Sequence, residues 1–187
     1  RGDPQSLLNA SIFFDFRPLA GDSTLAGALR ERVTRRAADT PRFLKQMSDN
    51  ALRNGPPSSW TGGLFETLFT REEAVVDLKL NGTASFVDGA RVLALAAGIR
   101  ETGTAERLQA LSAVGRLTED DVRGWVDSFQ FLQGLRLRVQ HRLDDRPADN
   151  PNLLDTRELS GIDRRILKDA FREARKLQQR LALDYPG

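Results

Sequence analysis

The stretch Thr118–Leu143, TEDDVRGWVDSFQFLQGLRLRVQHRL, decides the fold. Val122, Trp125, Val126, Phe129, Leu132 and Val139 recur at the three- and four-residue spacing that lines up side chains on one face of an α-helix. Arg136, Arg138 and Arg142 fall mostly on the other faces. Thr118 with Asp121 three residues later gives the segment a capping-box-like start. So long a stripe must be buried against other helices, and both flanks supply them. Upstream, Ala84–Ala97 is apolar at almost every position and has Gly98 as its stop, which predicts a deeply buried helix, with a short one following over Thr104–Val114. Downstream, a polar loop with Pro147 and Pro151 leads to a last helix capped by Ser160. Ile166, Ala170, Ala174, Leu177 and Leu181 mark its inner face until Pro186 ends it. These lengths and loops are those of an antiparallel bundle.

The first eighty residues are less uniform. Ile12–Phe16 is a short apolar run ending at Arg17-Pro18 and turned by Gly21-Asp22, which predicts a buried strand with Phe13, Asp15 and Arg17 on one face. Asp22-Ser23 caps a helix to about Arg36, and Thr40-Pro41 starts a second that stops near Asn54-Gly55. After the loop Gly55–Ser59, Leu64–Phe69 and Ala74–Leu80 read as a β-hairpin turned at Thr70–Glu73. The expected fold is mainly α: an antiparallel helical bundle with a short N-terminal strand and a small β-hairpin.

With 187 residues and 40% hydrophobic content, one domain with one core is the default. Lys plus Arg number 28 against 26 for Asp plus Glu, a net +2 that gives no basic field, and no aromatic and basic residues interleave on a strand platform, so nucleic acid is not an expected partner. Cysteine is absent, which excludes disulfides, thiolate metal sites and thiol catalysis and fits a reducing compartment; the cytoplasm is the expected location. No run approaches the roughly 18 apolar residues of a membrane span, and nothing near Arg1 resembles a signal peptide. The chain starts at Arg1 and its one methionine is Met47, so the expectation is a cut or processed end with further sequence upstream.

Few residues offer chemistry. The single histidine, His141, has no partner for a metal site; it reads as a helix-surface or packing residue, with a phosphorelay role the sharper alternative. Asp15 is an acid in an apolar run and must meet a cation, a metal ion or solvent, the simplest partner being Arg17. Asp77 and Lys79 share a strand face opposite Val76, Leu78 and Leu80. Ser85, Asp88 and Arg91 form one polar stripe on the apolar helix, which either pairs internally or faces a cleft. The arginines at 136, 138 and 142 either bind phosphate or form a solvated face.

Ordered together, Ile12-Phe13-Phe14-Asp15-Phe16-Arg17-Pro18, Gly21-Asp22 and Val76-Asp77-Leu78-Lys79-Leu80-Asn81-Gly82 resemble one bacterial family. Val87-Asp88-Gly89-Ala90-Arg91-Val92-Leu93-Ala94-Leu95, Gly98-Ile99-Arg100-Glu101-Thr102, Phe129–Arg138 and Arg164–Phe171 continue the resemblance from about Ser11 to Leu183. The chain is similar to the C-terminal, substrate-binding region of nucleotidyltransferases that follow CBS and cyclic-nucleotide-binding domains in signal-transduction proteins, and these in turn are similar to the PII-protein uridylyltransferases.

That resemblance implies a polymerase-beta-type transferase in which a glycine-serine turn and an aspartate pair hold magnesium and a nucleoside triphosphate, completed by a third carboxylate on a later strand. By position Asp15 matches the third carboxylate, catalytic and metal-binding only with the upstream acids, and residues 11–17 the last strand of, or nearest to, the catalytic core. Arg17, Asp77, Lys79, Asp88 and Arg91 match substrate-binding positions, with Lys79 or Arg91 holding a triphosphate or an acceptor carboxylate. The glycine-serine turn and aspartate pair are not in this sequence, so this chain alone is expected to be inactive and to need no cofactor. Residues 11–183 form the substrate-binding unit, with 1–10 and 184–187 flanking. Expected partners are the upstream core and regulatory domains, a protein or small-molecule acceptor, and a second copy if the chain dimerises; membrane and nucleic acid are not expected. The competing reading is a non-catalytic helical module for protein interaction or dimerisation.

Overall fold

The computed structural model describes residues 11, 13–57, 60, 74–142 and 149–186. Six α-helices appear among them: α1 (Ser23–Ala38), α2 (Pro41–Ala51), α3 (Ala84–Ala96), α4 (Thr104–Ala113), α5 (Glu119–Arg142) and α6 (Gly161–Asp184). Local chemistry sets their ends. Asp22 accepts from the Thr24 amide at 2.8 Å to start α1, Thr118 Oγ1 accepts from the Asp121 amide at 3.2 Å before α5, and Ser160 Oγ accepts from the Asp163 amide at 3.0 Å before α6. Thr40 donates to the Arg36 carbonyl at 2.7 Å instead of capping α2, so Pro41 alone marks that start. Gly98 closes α3 at φ +70°, where the Ile99 amide reaches back to the Ala94 carbonyl and the Gly98 amide to that of Leu95.

α3 is the hub, packing against α1, α2, α4 and α6. Phe86, Ala90, Val92, Ala94 and Leu95 are buried around its circumference, as its apolar sequence requires. α5 lies antiparallel on α6: Gly124 sits against Glu173 near one end, and Arg138 reaches Asp163 near the other. Val122, Trp125, Val126, Leu132 and Leu135 face inward from α5, and Phe129 and Val139 are partly buried. On α6 the inner stripe includes Leu167, Ala170, Phe171, Ala174, Leu177 and Leu181. Ile166, predicted inside, is 41% exposed because Leu167 takes the inward position.

The β content is a two-stranded antiparallel sheet, arranged differently from the expectation. β1 (Val75–Asp77) pairs with β2 (Leu153–Asp155) in the register Val75↔Asp155, Val76↔Leu154, Asp77↔Leu153, burying Val76 and Leu154. The predicted partner, 64–69, lies outside the described residues, and β2 comes from a stretch read as loop. The predicted strand over 74–80 stops at Asp77, whose carboxylate accepts from the amides of Lys79 and Leu80, each at 2.8 Å. That cap bends Leu78–Thr83 into a wide π-helical turn leading into α3, so Leu78 is buried while Lys79 and Leu80 are exposed.

The N-terminal strand is also replaced. Ile12 lies outside the described residues; 13–15 form a turn in which the Phe14 amide donates to the Ser11 carbonyl at 3.2 Å, and 16–19 are irregular. Phe13 faces solvent, Phe14 packs on Phe43 with ring centres 5.8 Å apart, and Asp15 is drawn toward α3 and α4. No helix among the described residues is long and apolar enough to cross a membrane.

Candidate functional site

Two helices converge on Asp15. The Arg91 guanidinium on α3 donates one bond to Asp88 Oδ1, a turn earlier on the same helix, and a second to Asp15 Oδ2, both at 2.6 Å. From α4, Arg107 donates to Asp15 Oδ1 at 2.6 Å and to the Phe14 carbonyl at 3.2 Å, while its Nε holds the Glu101 carbonyl at 2.8 Å. The two arginine side chains are 9% and 3% exposed and that of Asp15 35%, so Asp15 bridges two cations at the floor of an opening and, with Asp88, balances their charge. The Arg91 Nε is buried with no hydrogen-bond partner.

Electrostatics follows from this placement. Burial alone would raise the Asp15 carboxyl, but the bonds and charges of Arg91 and Arg107 outweigh it and hold the group below its usual value. Asp88 goes the other way: burial raises it more than Arg91 lowers it, and the Asp15 charge adds to the rise. Burial lowers Arg107, with Asp15 as its main compensation.

Above this floor is an open cleft of about 680 Å³. Arg17 and Arg30 enter it from the N-terminal side, and Arg100, Glu101, Thr102 and Glu106 from the α3–α4 connection and the first turn of α4. Arg30 is held by the Phe16 carbonyl and lies over the Phe16 ring, 5.0 Å from its centre. Arg17 and Arg100 are exposed; Arg100 reaches Glu31 at 3.4 Å, and Arg17 has no ion-pair partner among the described residues. The cleft thus offers exposed guanidiniums and two carboxylates around a charge-balanced floor, a surface able to orient a ligand carrying anionic groups.

The expected constellation divides. Asp15, Asp88 and Arg91 come together with Arg17 at the rim, and the partners of Asp15 are Arg91 and Arg107 where Arg17 was the simplest expectation. Asp77 and Lys79 do not join them. Asp77 takes the two amides of its own turn and Asn150 Nδ2 at 2.8 Å; burial raises its carboxyl, but these bonds outweigh it and lower the group. The Lys79 side chain is exposed. Asn152 accepts from Arg136 Nε at 2.6 Å and from Gln140 Nε2 at 3.2 Å, so Arg136 of α5 ties down the connection to β2. Arg138 and Arg142 face Asp163 and Glu158 at 3.9 and 3.7 Å, a solvated face. His141 is exposed in the last turn of α5.

Arg107 and Arg30 were missed. The signal for Arg107 is its place on the inner stripe of α4, where Thr104, Arg107, Leu108 and Leu111 are all buried; a charge at such a position requires a buried counter-ion.

The donor set does not fit magnesium. Each Asp15 oxygen already accepts from a guanidinium, the two arginines repel a cation, and among the described residues no group of three or more His, Asp or Glu side chains could hold one. Neither the curated proteins nor the solved structures hold a significant match to the chain. Residues 41–185 match the sequence profile of the family described as "Putative nucleotidyltransferase substrate binding domain", and with most of its length inside that match the chain belongs to this family.

Proposed function

We propose that this chain is the substrate-recognition part of a cytoplasmic nucleotidyltransferase of the PII-protein uridylyltransferase kind. It would work in a signal-transduction protein beside CBS and cyclic-nucleotide-binding domains, and the cleft over Asp15 would receive the acceptor. The observation that carries this reading is the convergence of Asp15, Asp88, Arg91 and Arg107 beneath the exposed Arg17 and Arg100 in a member of a transferase substrate-binding family. Arg91, Arg100 and Arg107 lie inside the span matched to the family; Asp15, Arg17 and Arg30 precede it. In this reading Asp15 is a positioning residue that holds the two arginines in place, and magnesium and the nucleoside triphosphate belong to a catalytic core in the same polypeptide. The chain's part is binding and orientation, the share of catalysis that brings an acceptor into line with the α-phosphate.

The test is nucleotidyl transfer by the polypeptide that carries this domain, with magnesium, each of the four ribonucleoside triphosphates and candidate protein acceptors. Replacing Arg17 and Arg100 by Gln should raise KM for the acceptor about tenfold or more and leave KM for the nucleotide unchanged. An unchanged acceptor KM would remove the cleft from substrate binding. One observation favours the interaction-module reading: Phe13, Leu19, Leu25 and Leu29 expose 51–101% of their surface near the start of α1. Silence from every nucleotide and acceptor, together with dimerisation of the chain, would decide for it.

A further inference from the structure

At the opposite end of α3 from its π-helical start, a second hollow of about 270 Å³ opens between the C-terminal ends of α3, α4 and α6. It shares no lining residue with the cleft over Asp15. Leu93, Ala96 and Ala97 of α3 and its C-cap, with Leu111 and Leu117, give it apolar walls; Leu111 and Leu117 are only 2% and 8% exposed. The polar groups at the rim are not balanced. Arg180 donates to Asp184 at 2.9 Å, so these two neutralise one another. Arg116 has no carboxylate partner among the described residues. Tyr185 is half-buried, and burial, helped by the Asp184 charge, raises its phenol above the usual tyrosine value, so it keeps its proton.

Helix C-termini carry partial negative charge, which opposes an anion by about 0.3–1 kcal/mol per exposed end. Two of the three ends here are closed. At α3 the Ile99 and Gly98 amides take the Ala94 and Leu95 carbonyls, and at α4 the Arg116 and Gly115 amides take those of Leu111 and Ser112, with Gly115 at φ +71°. What remains is a hollow with an apolar wall of Leu93, Ala96 and Ala97 and a polar rim, where the Arg116 guanidinium has no carboxylate partner among the described residues and the Tyr185 phenol stands beside it.

We propose that this hollow is a second binding site, for a small apolar monocarboxylate whose body lies on Leu93, Ala96 and Leu117 and whose carboxylate pairs with Arg116. The site is independent of the transferase reading. It is tested by titrating the isotope-labelled full chain with phenylacetate, with its neutral amide and with phenethylamine, following backbone amide shifts. Phenylacetate should shift the amides around Leu93, Leu117 and Tyr185 saturably and bind about tenfold more tightly than the amide. Arg116→Gln, an exposed substitution that leaves the core intact, should erase that preference, and Ala96→Leu should fill the hollow and abolish all three titrations while thermal unfolding stays cooperative. Equal affinity for acid and amide, a preference for the amine, absence of saturable shifts, or an Arg116→Gln protein that still prefers the acid would each overturn the proposal.

Discussion

Asp15 shows how one side chain can be chemically legible and still take an unforeseen place. An acid in an apolar run needs a cation, and two are present, but they stand 76 and 92 residues away on α3 and α4. Its carboxyl is lowered in the fold from the ordinary 3.8, so its stabilising contribution is complete above 3.8 and is lost as pH falls through the lower folded value. Asp88 is raised, so ionising it opposes folding at neutral pH, and that cost disappears in acid. Removing the Asp15 charge leaves the buried Arg107 without its carboxylate and Arg91 with Asp88 alone, yet a third of the Asp15 side chain faces water. Asp15→Asn should therefore cost about 2 kcal/mol near neutral pH, below the roughly 3–5 of a fully buried broken pair. Urea unfolding of both proteins at about pH 7 and about pH 3 checks this: the gap should narrow in acid, because below the ordinary 3.8 the unfolded wild-type carboxyl takes up a proton that the folded one resists. A gap of constant size would mean that packing of the 13–16 segment, and not charge, carries the loss.

At the scale of elements, the helices were legible because each has a repeated stripe and a chemically marked end. Asp22, Thr118, Ser160 and Gly98 all act at the ends where their residue types predict. The strands were not, because short strands depend on their partner. Leu153–Asp155 follows Pro151 in a polar stretch and becomes a strand only where Val76 waits for Leu154, and Asp77 ends β1 by capping its own backbone more favourably than a ladder continues. Close approaches between helices are similarly hidden. A Cβ on Gly89 of α3 would lie 2.8 Å from Leu177 Cδ2, and Leu177 is fully buried and cannot retreat. Gly→Ala in a helix ordinarily gains about 1 kcal/mol, whereas overpacking costs roughly 1–3, so Gly89→Ala should lose about 1 kcal/mol net. Gly134→Ala on the exposed side of α5, where the new methyl meets nothing within 4 Å, should gain about 1 kcal/mol. Thermal melts of the two variants must move in opposite directions for the α3–α6 contact to be as tight as described.

The whole molecule grades from a firmly held core to a lightly held edge, and the cleft over Asp15 spans that gradient. α3 is buried on nearly every side, while α1 buries only Thr34 and Ala37, both in its second half. Arg17 and Arg30 reach the cleft from the lightly held side, Arg100 and Glu101 from beside the core. Local opening free energy follows the buried apolar contact that must be given up, so amides in Val92–Leu95 should exchange only by global unfolding, and those of the first half of α1 at least about a thousandfold faster. A ligand bridging Arg17 and Arg100 would have to hold the two sides together, so its binding should slow exchange at the start of α1 far more than in α3, whose rate is set by the whole fold. Hydrogen exchange measured on the free chain and with a bound acceptor separates the possibilities. Selective protection of α1 means the cleft is completed by its ligand, whereas protection of α1 equal to that of α3 in the free chain means that both walls are already fixed and recognition relies on a rigid surface.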